Sequence, residues 1–234
     1  MPARKTPKHM LIIPDGNRRW ARLHGKPVIQ GHAAGIDKIG DVLRWCRKRG
    51  IRTLTLWGFS TENFQRPESE VKQLMRLFET KLREILSRKD ARRKNVRVKI
   101  YGALELLPAR VRDYLKKAEE ATARHRAYRL NILLSYGGRA ELLAAVNEAM
   151  RRARAGRLAR VDEKSFRKLL WTGEIPDPDL IIRTSGEMRT SGVLPWHSAY
   201  SELHFSPKLW PDFSEQDFDE ILEDYASRQR RFGR

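Results

Sequence analysis

Apolar and polar positions along the chain follow two alternating patterns. Short, nearly continuous apolar runs predict buried β-strands, and these runs are "MLIIP", "RTLTLWGF", "VRVKIYG", "YRLNILLSY", "DLIIRTS" and "ELHF". The segments between them carry apolar residues at helical spacing and predict helices over residues 33–48, 68–86, 108–123, 140–153, 164–171 and 214–230. Strands and helices are therefore expected to alternate along the chain.

The apolar runs lack the regular exchange of apolar and polar residues that a sheet with one exposed face requires. Strands of this kind are typical of parallel sheets covered by helices on both faces. We therefore predict the α/β fold class, with a single domain built on a mostly parallel sheet. Ligands of such folds collect at the carboxyl ends of the strands, so the residues after each strand are the first candidates for a site.

Three of the predicted strands end in residues suited to binding phosphate. Arginine forks match the geometry of phosphate oxygens, and glycine lets backbone N–H groups approach an oxyanion. Taken singly, each such residue can be a helix cap or part of a surface ion pair, but three clusters together predict a polyphosphate site. They are Asp15, Gly16, Asn17, Arg18, Arg19 and Trp20; Ser60, Glu62, Asn63 and Arg66; and Arg183, Gly186, Arg189 and Ser191.

Asp15 adds a hard carboxylate oxygen to this predicted site. Mg²⁺ is commonly held by one or two carboxylates together with phosphate oxygens of a substrate, so Asp15 predicts a magnesium ion bridging a diphosphate. Two common nucleotide motifs are absent, since GxxxxGK[ST] occurs nowhere and no GxGxxG follows the first strand. GTPases and dinucleotide-dependent oxidoreductases are therefore disfavoured.

The chain is strongly basic. It holds 48 Lys and Arg against 29 Asp and Glu in 234 residues, a formal net charge of +19. Such a charge favours an anionic partner, and nucleic acid, an anionic membrane surface and a phosphorylated small molecule all fit. The sequence contains no nucleic-acid recognition motif, so specific binding of nucleic acid is not expected.

Cysteine content and hydropathy bear on localisation. Cys46 is the only cysteine, which excludes an intramolecular disulfide and favours a reducing compartment. No segment approaches the roughly 18 apolar residues of a membrane span, and the first apolar run is too short for a signal peptide. A cytoplasmic protein is expected, and any membrane contact would be peripheral.

Several sequence blocks, in order over nearly the whole chain, resemble the cis-prenyltransferases, the undecaprenyl diphosphate synthase family. They are "HMLIIPDGNRRWA", "GKPVIQGHAAG", "LTLWGFSTENFQRPESEV", "LNILLSYGGR", "DLIIRTSGEMRTSGVLPWHSAYSELHFSPKLWPDF" and "RRFG". The resemblance implies a homodimer whose subunit has a mostly parallel six-stranded sheet and a hydrophobic tunnel, with a basic tail at 1–8 and a catalytic domain at 9–234. It also implies Mg²⁺-dependent condensation of isopentenyl diphosphate with an allylic diphosphate primer, giving polyprenyl diphosphate with Z double bonds.

The resemblance implies roles for residues of the first block. Asp15 would hold Mg²⁺ and assist departure of the allylic diphosphate, and Glu202 would help to complete the metal site. The pocket of that diphosphate would be lined by Gly16, Asn17, Arg18, Arg19 and His32, with Trp20 packed beside them.

The later blocks are implied to complete the reacting centre. Asn63 is the family's candidate for assisting proton removal, although an amide is a poor base and relay to a diphosphate oxygen or water stays open. Contacts around the reacting atoms would come from Ser60, Thr61, Glu62, Asn63, Phe64 and Arg66. The diphosphate of isopentenyl diphosphate would be bound by Arg183, Arg189, Thr190 and Ser191. The terminal Arg231-Phe232-Gly233 would reach the partner subunit's site.

Some positions depart from the family pattern. Val28 stands where many members carry an arginine that contacts the allylic diphosphate, and Arg18, itself in place of a small residue, or Lys26 would compensate. Met188 replaces a residue that is more often polar, which affects substrate affinity and not the reaction class. Tyr128, Leu133 and Leu134 are bulkier than in many long-chain synthases while Gly58 opens space, which favours a short or medium product.

Three alternatives stay open on the sequence. A non-catalytic subunit of a heteromeric enzyme would typically lack the first aspartate, whereas Asp15 is present. A nucleic-acid-binding protein rests on charge alone. A divergent enzyme that makes branched or cyclised products is disfavoured by the intact first and last blocks, but Val28 keeps it open.

Overall fold

The computed structural model of the chain describes residues 5–87 and 95–229. Its strands are β1 His9–Ile13, β2 Thr53–Ser60, β3 Val96–Tyr101, β4 Tyr128–Tyr136, β5 Leu180–Arg183 and β6 Glu202–Phe205. Its helices are α1 Asn17–Leu23, α2 Val28–Lys48, α3 Glu68–Ser87, α4 Ala109–Thr122, α5 Gly138–Arg154, α6 Glu163–Arg167 and α7 Glu215–Ser227. The predicted alternation of strands and helices is confirmed.

The six strands form one parallel sheet in the order β3-β4-β2-β1-β5-β6. β1 is central, since its Leu11 is in register with Thr55 of β2 on one side and Ile181 of β5 on the other. All strands run in the same direction, so their carboxyl ends meet at one edge of the sheet. The α/β fold with a six-stranded sheet is confirmed, and every strand pair among the described residues is parallel.

The side chains of β1 show why its sequence is apolar at every position. Met10 and Ile12 pack on one face of the sheet against residues of α2 and α7. Leu11 and Ile13 pack on the opposite face, in a cluster with Tyr136. Because successive strand residues point to opposite faces, burial of both faces requires an unbroken apolar run.

The patterning missed helix α1 and placed the start of α2 late. Only Ala21 of α1 is buried, so the helix has no apolar period to detect. The first turns of α2 contain two glycines, which lower helix propensity. A Cβ atom at Gly31 would overlap the backbone carbonyl oxygen of Asn17, so glycine is required where α2 meets α1. The helix predicted over 164–171 is also shorter than expected and ends at Arg167.

Parts of the predictions lie outside the described residues. These are the first four residues of the basic tail, the last residue of the predicted final helix and the terminal Arg231-Phe232-Gly233. Within 5–87 and 95–229, no helix combines the length and apolarity needed to cross a membrane.

Candidate active site

A cavity of about 1210 Å³ runs from the carboxyl edge of the sheet into the protein. It lies between the sheet and helices α2, α3 and α4, and it reaches Val96 and Leu130 near the amino ends of their strands. Its inner wall is mainly apolar and includes Ile39, Leu43, Phe78, Leu82, Leu115, Ile132 and Leu134. Its mouth is polar, so the cavity suits a ligand with a charged head and a long apolar tail.

Asp15 is fixed at the mouth by contacts from β5 and from its own turn. Its backbone N–H donates to Thr184 Oγ1 at 2.8 Å, and that hydroxyl donates to the Asp15 carbonyl oxygen at 2.7 Å. Carboxylate Oδ1 accepts from the Gly16 N–H at 2.7 Å, and Oδ2 accepts from Arg183 Nη2 at 2.8 Å. Gly16 has φ 107°, a left-handed conformation that favours glycine and turns the chain from β1 into α1.

Arg183 connects Asp15 with the loop after β5. Its Nη1 donates to the Arg189 carbonyl oxygen at 2.7 Å and to Ser191 Oγ at 2.8 Å. The guanidinium is buried, and its Nε has no hydrogen-bond partner. Ser191 has φ 51°, which a non-glycine residue rarely adopts away from functional sites. A buried guanidinium with a spare donor beside a hydroxyl is suited to binding an anion next to Asp15.

The short 3₁₀ helix Thr61–Gln65 after β2 orients Asn63. The Asn63 N–H donates to the Ser60 side chain, and the Ser60 N–H donates to Asn63 Oδ1 at 3.0 Å. Asn63 lines the cavity, and because its oxygen is engaged by the backbone, Nδ2 is the part of the amide available to a ligand. Asn63 therefore presents a hydrogen-bond donor and not a base.

Arg18 of α1, His32 of α2 and Arg66 converge at the cavity mouth. Each faces the carboxylate of Glu70 on α3. Burial, with help from Arg66 and Arg18, lowers the pKa of His32 from 6.5 to about 4, despite the opposing charge of Glu70. Burial also lowers the pKa of Arg66, again against Glu70. His32 is therefore neutral at pH 7, and the guanidiniums carry the positive charge.

A second chain of polar contacts runs along the exposed rim of the mouth. Arg19 Nη2 donates to Ser185 Oγ at 2.7 Å and to Glu187 Oε1 at 3.0 Å. Glu187 also accepts from Arg189, which is largely exposed and does not line the cavity. This chain joins α1 to the loop after β5.

The structure brings most of the predicted site residues to one cavity wall. Those at the wall are Asp15, Gly16, Asn17, Arg18, Arg19, His32, Ser60, Glu62, Asn63, Arg66, Arg183 and Ser191. Those that do not line it are Trp20, Thr61, Phe64, Arg189, Thr190 and Glu202. The Trp20 indole donates to Asp212 Oδ1 at 2.6 Å, and Phe64 packs edge-on against Phe59. Phe64 therefore packs behind Phe59 of the cavity wall, while Trp20 joins α1 to Asp212.

The prediction that Glu202 completes a metal site with Asp15 is wrong for two residues of the same chain. It opens β6 in register with Leu180, which is in register with Met10 near the start of β1. Asp15 follows the far end of β1, so the two carboxylates lie at opposite edges of the sheet. Glu202 accepts instead from Arg228 Nη1 at 3.0 Å.

Arg18, and not Lys26, is placed to compensate for Val28. Val28 begins α2 and does not line the cavity. Lys26 Nζ lies over the Trp20 ring, 5.4 Å from its centroid. Arg18 reaches the cavity mouth and can supply the cation that valine lacks.

The residues expected to limit product length divide between the two faces of the sheet. Leu134 and Gly58 line the cavity. The placement of Leu133 was wrong, since it is fully buried in the cluster on the opposite face. Tyr128 does not line the cavity either, and its ring lies under the Arg47 guanidinium. Two of the three bulky residues behind the prediction of a short or medium product are thus not at the wall.

Sequence reasoning missed Glu70 and Thr184. Glu70 stands four residues after Arg66, a spacing typical of helical ion pairs, so a signal was available. Thr184 follows Arg183 directly, and a hydroxyl beside a candidate arginine carries little signal of its own. Both residues hold other site residues in place through ion pairs or hydrogen bonds. Most of these contacts join segments that are distant in sequence, so a local pattern does not reveal them.

The metal expected at Asp15 is consistent with the donor set if a substrate supplies further ligands. Within 5–87 and 95–229, no three His, Cys, Asp or Glu side chains are grouped to hold a metal ion. Mg²⁺ is usually bound by one or two carboxylates and substrate phosphate oxygens, keeping several waters. Asp15 fits that arrangement because its carboxylate lies at the cavity wall between arginines.

Comparison with known proteins shows the family of the chain. Residues 13–233 match the model of the prenyltransferase family described as undecaprenyl diphosphate synthase. The chain is 47% identical over 230 residues to the tritrans,polycis-undecaprenyl-diphosphate synthase (geranylgeranyl-diphosphate specific) of Pyrococcus horikoshii, covering 97% of this chain and 87% of that protein. The Methanopyrus kandleri enzyme of the same name is 44% identical over 232 residues, covering 98% and 86%.

A solved structure shares the whole fold. Lavandulyl diphosphate synthase from Lavandula x intermedia, in complex with dimethylallyl diphosphate, superposes with a TM-score of 0.90 at 33% identity, covering 98% of this chain and 99% of that chain. Arginines at the mouth of a long apolar cavity suit an enzyme that acts on prenyl diphosphates. The chain belongs to the undecaprenyl diphosphate synthase family of cis-prenyltransferases. It is a prenyltransferase that elongates prenyl diphosphates, and the double bonds formed in elongation are Z.

Proposed function

We propose that the chain condenses isopentenyl diphosphate with an allylic diphosphate primer in an Mg²⁺-dependent reaction. The observation that carries the proposal is two groups of cationic side chains at the mouth of one apolar cavity, Arg18 with Arg66 and Arg183 beside Ser191. Asp15 accepts a hydrogen bond from Arg183 of the second group. The allylic diphosphate occupies the site of Arg18 and Arg66, and its tail enters the cavity. Isopentenyl diphosphate occupies the site of Arg183 and Ser191.

The side chains at the mouth have defined parts in this reaction. The bond between the allylic carbon and its diphosphate oxygen breaks, the double bond of isopentenyl diphosphate forms the new carbon–carbon bond, and a proton leaves the adjacent carbon. Asp15 would hold Mg²⁺, which would supply charge stabilisation to the departing diphosphate. Arg18 and Arg66 hold that group by charge-assisted hydrogen bonds. Since Asn63 presents its donor, the proton passes to a diphosphate oxygen or water.

We propose geranylgeranyl diphosphate as the primer and an undecaprenyl chain as the product. The relatives from Pyrococcus horikoshii and Methanopyrus kandleri carry both in their names, and their similarity extends over nearly the whole chain. The polar mouth contacts the diphosphate, and this group is the same in every primer. Discrimination between primers therefore rests on how far each tail extends along the apolar wall.

Labelled isopentenyl diphosphate, Mg²⁺ and one primer per reaction test the proposal, with dimethylallyl, farnesyl and geranylgeranyl diphosphate compared. We expect the last to be consumed with the highest kcat/KM, and EDTA to stop the reaction until Mg²⁺ is restored. Absence of label in any product would contradict the proposed function. Products that join two allylic diphosphates without isopentenyl diphosphate would identify the branched or cyclised alternative.

Leu134→Ala is expected to shift the products toward longer chains. Leu134 lines the cavity, and each added C5 unit gains roughly 3 to 4 kcal/mol of apolar burial at about 0.8 kcal/mol per CH₂ once space allows it. Leu133→Ala is the matched control, because the neighbouring leucine is buried on the opposite face. It should lower stability by about 2 to 5 kcal/mol without changing product length. Chromatography that shows equal product lengths for wild type and Leu134→Ala would exclude Leu134 from the length limit.

We also propose that the enzyme is a homodimer. Helix α5 exposes Leu143, Val146 and Met150 at 64%, 43% and 48%, and their spacing of three and four residues places them on one helix face. An apolar row of this kind on an otherwise charged surface suits a second copy of the same chain related by two-fold symmetry. Sedimentation equilibrium at the mass of one chain would contradict the dimer.

Peripheral contact with an anionic membrane is a further proposal. It is supported by the net charge of +19 and by the apolar product that must leave the cavity. Each Lys or Arg near such a surface contributes about 1 kcal/mol, which salt weakens. Equal sedimentation with neutral and anionic vesicles at low salt would argue against this contact.

A further inference from the structure

Three cavity-lining side chains share one carboxylate. Glu70 Oε1 lies 3.3 Å from Arg66 Nη1 and 3.7 Å from His32 Nε2, and Glu70 Oε2 lies 3.6 Å from Arg18 Nη2. Arg18 belongs to α1, His32 to α2 and Arg66 to the segment before α3, while Glu70 is in the first turn of α3. One side chain therefore links four segments around the cavity mouth.

Glu70 stands behind these side chains and not among them. It does not line the cavity, and its side chain is 15% exposed, compared with 41% for Arg18 and 24% for Arg66. Arg18 Nε and His32 Nε2 are buried without a hydrogen-bond partner. The cluster thus holds more nitrogen groups than one carboxylate satisfies, and the surplus is available to an anion in the cavity.

We infer that Glu70 is a positioning residue that holds Arg18 and Arg66 at the spacing required by the allylic diphosphate. This inference rests on the proposed function of the same site. The two guanidiniums repel each other, and a carboxylate that contacts both keeps them near one another. Arginine contacts to phosphate depend on the direction of the N–H groups. A guanidinium released from Glu70 therefore forms weaker hydrogen bonds with the diphosphate.

If only the charge of the pocket mattered, loss of Glu70 would have the opposite effect on the affinity for the diphosphate. Removing a negative charge from an anion pocket raises its positive potential and should tighten binding of a diphosphate. Positioning predicts weaker binding after the same change. The direction of the change in allylic affinity therefore distinguishes the two effects.

Glu70→Gln keeps the size of the side chain and removes its charge. We expect the KM for the allylic diphosphate to rise about tenfold, the effect of losing one well-aligned charged contact. The KM for isopentenyl diphosphate should stay within about twofold, because Arg183 and Ser191 have no contact with Glu70. Glu68→Gln is the matched control on the same helix, since Glu68 is 81% exposed and paired with Lys72. It should change neither KM.

A spectroscopic readout checks the contact itself. The charge of Glu70 raises the pKa of His32 against the effect of burial, so NMR titration of His32 should give a lower pKa in Glu70→Gln than in the wild type. Glu68→Gln should leave it unchanged. A general loss of structure would instead return the His32 pKa toward 6.5.

The inference is overturned if Glu70→Gln binds the allylic diphosphate as tightly as the wild type or more tightly, or if both KM values rise together. Should that variant not fold, Glu70→Asp keeps the charge but withdraws it by one methylene. A selective loss of allylic affinity in Glu70→Asp supports positioning, and wild-type affinity overturns it. Failure of the proposed function would look different, because the wild-type protein would then incorporate no isopentenyl diphosphate with any primer.

Discussion

Asp15→Ala is expected to lower turnover by at least a thousandfold. Metal-assisted stabilisation of a departing diphosphate is worth several kcal/mol, and each 1.36 kcal/mol is about tenfold in rate. Asp15 is the carboxylate fixed between the two anion sites, and its partners Gly16 and Arg183 hold both of its oxygens in place. Steady-state rates at saturating Mg²⁺ and substrates measure the loss, which added Mg²⁺ should not restore.

The buried partner of Asp15 makes a second variant necessary. Arg183 is only 7% exposed, and removal of its carboxylate partner leaves a buried charge unpaired. Asp15→Asn keeps an oxygen for Arg183 while it removes the metal-binding charge. Loss of turnover in Asp15→Asn with a wild-type melting temperature assigns the effect to chemistry and not to folding.

A matched acidic residue provides the control for these variants. Asp41 of α2 is partly exposed and pairs with Arg44 at 2.8 Å. Asp41→Ala should retain wild-type turnover. If both Asp15 variants also remain within about tenfold of wild type, the assigned role of Asp15 is wrong.

The sequence predicted the part of the site that follows from strand direction. Asp15 and Asn63 follow strands that read as apolar runs, Arg183 is the last residue of another, and parallel strands bring their carboxyl ends to one edge. No knowledge of helix packing was needed for that prediction. The same rule explains why Glu202 cannot join Asp15 within one chain, because this residue opens its strand and therefore lies at the opposite edge.

Other features depended on information that the sequence pattern does not carry. Helix α1 buries only Ala21 and owes its position to contacts with α2, so no apolar period marks it. Leu133 and Leu134 are adjacent and chemically identical, and only the register of β4 decides which one reaches the cavity. The irregular pairing of β4 with β2 after Trp57 makes that register hard to infer from alternation alone.

Acidification below pH 6.5 is expected to destabilise the protein by several kcal/mol. Burial lowers the pKa of His9, His32 and His197 from 6.5 to about 4. The nearby Arg167 lowers the pKa of His197 further, while Asp177 opposes that effect. Both ring nitrogens of His197 are buried without a hydrogen-bond partner, and burial is the largest cause of its lowered pKa.

The sign of the effect follows from proton binding by the two states. Between pH 6.5 and 4 the unfolded chain protonates these histidines and the folded protein does not, so the free energy of unfolding falls as the pH falls. At pH 5 each histidine contributes a loss of about 2 kcal/mol, at 1.36 kcal/mol per pH unit below 6.5. Urea unfolding at pH 7.5 and pH 5 measures the total for all three.

A single substitution isolates one of these contributions. His197→Leu removes an ionisable ring that makes no hydrogen bond through its nitrogens, so the loss of stability between pH 7.5 and pH 5 should shrink by about 2 kcal/mol. Leu23→Gln changes an exposed residue of α1 that carries no ionisable group, and it should leave the pH dependence as in the wild type. If His197→Leu shows the same pH dependence as the wild type, the His197 ring takes up its proton at the same pH in the folded and unfolded states, and its burial does not disfavour the charge.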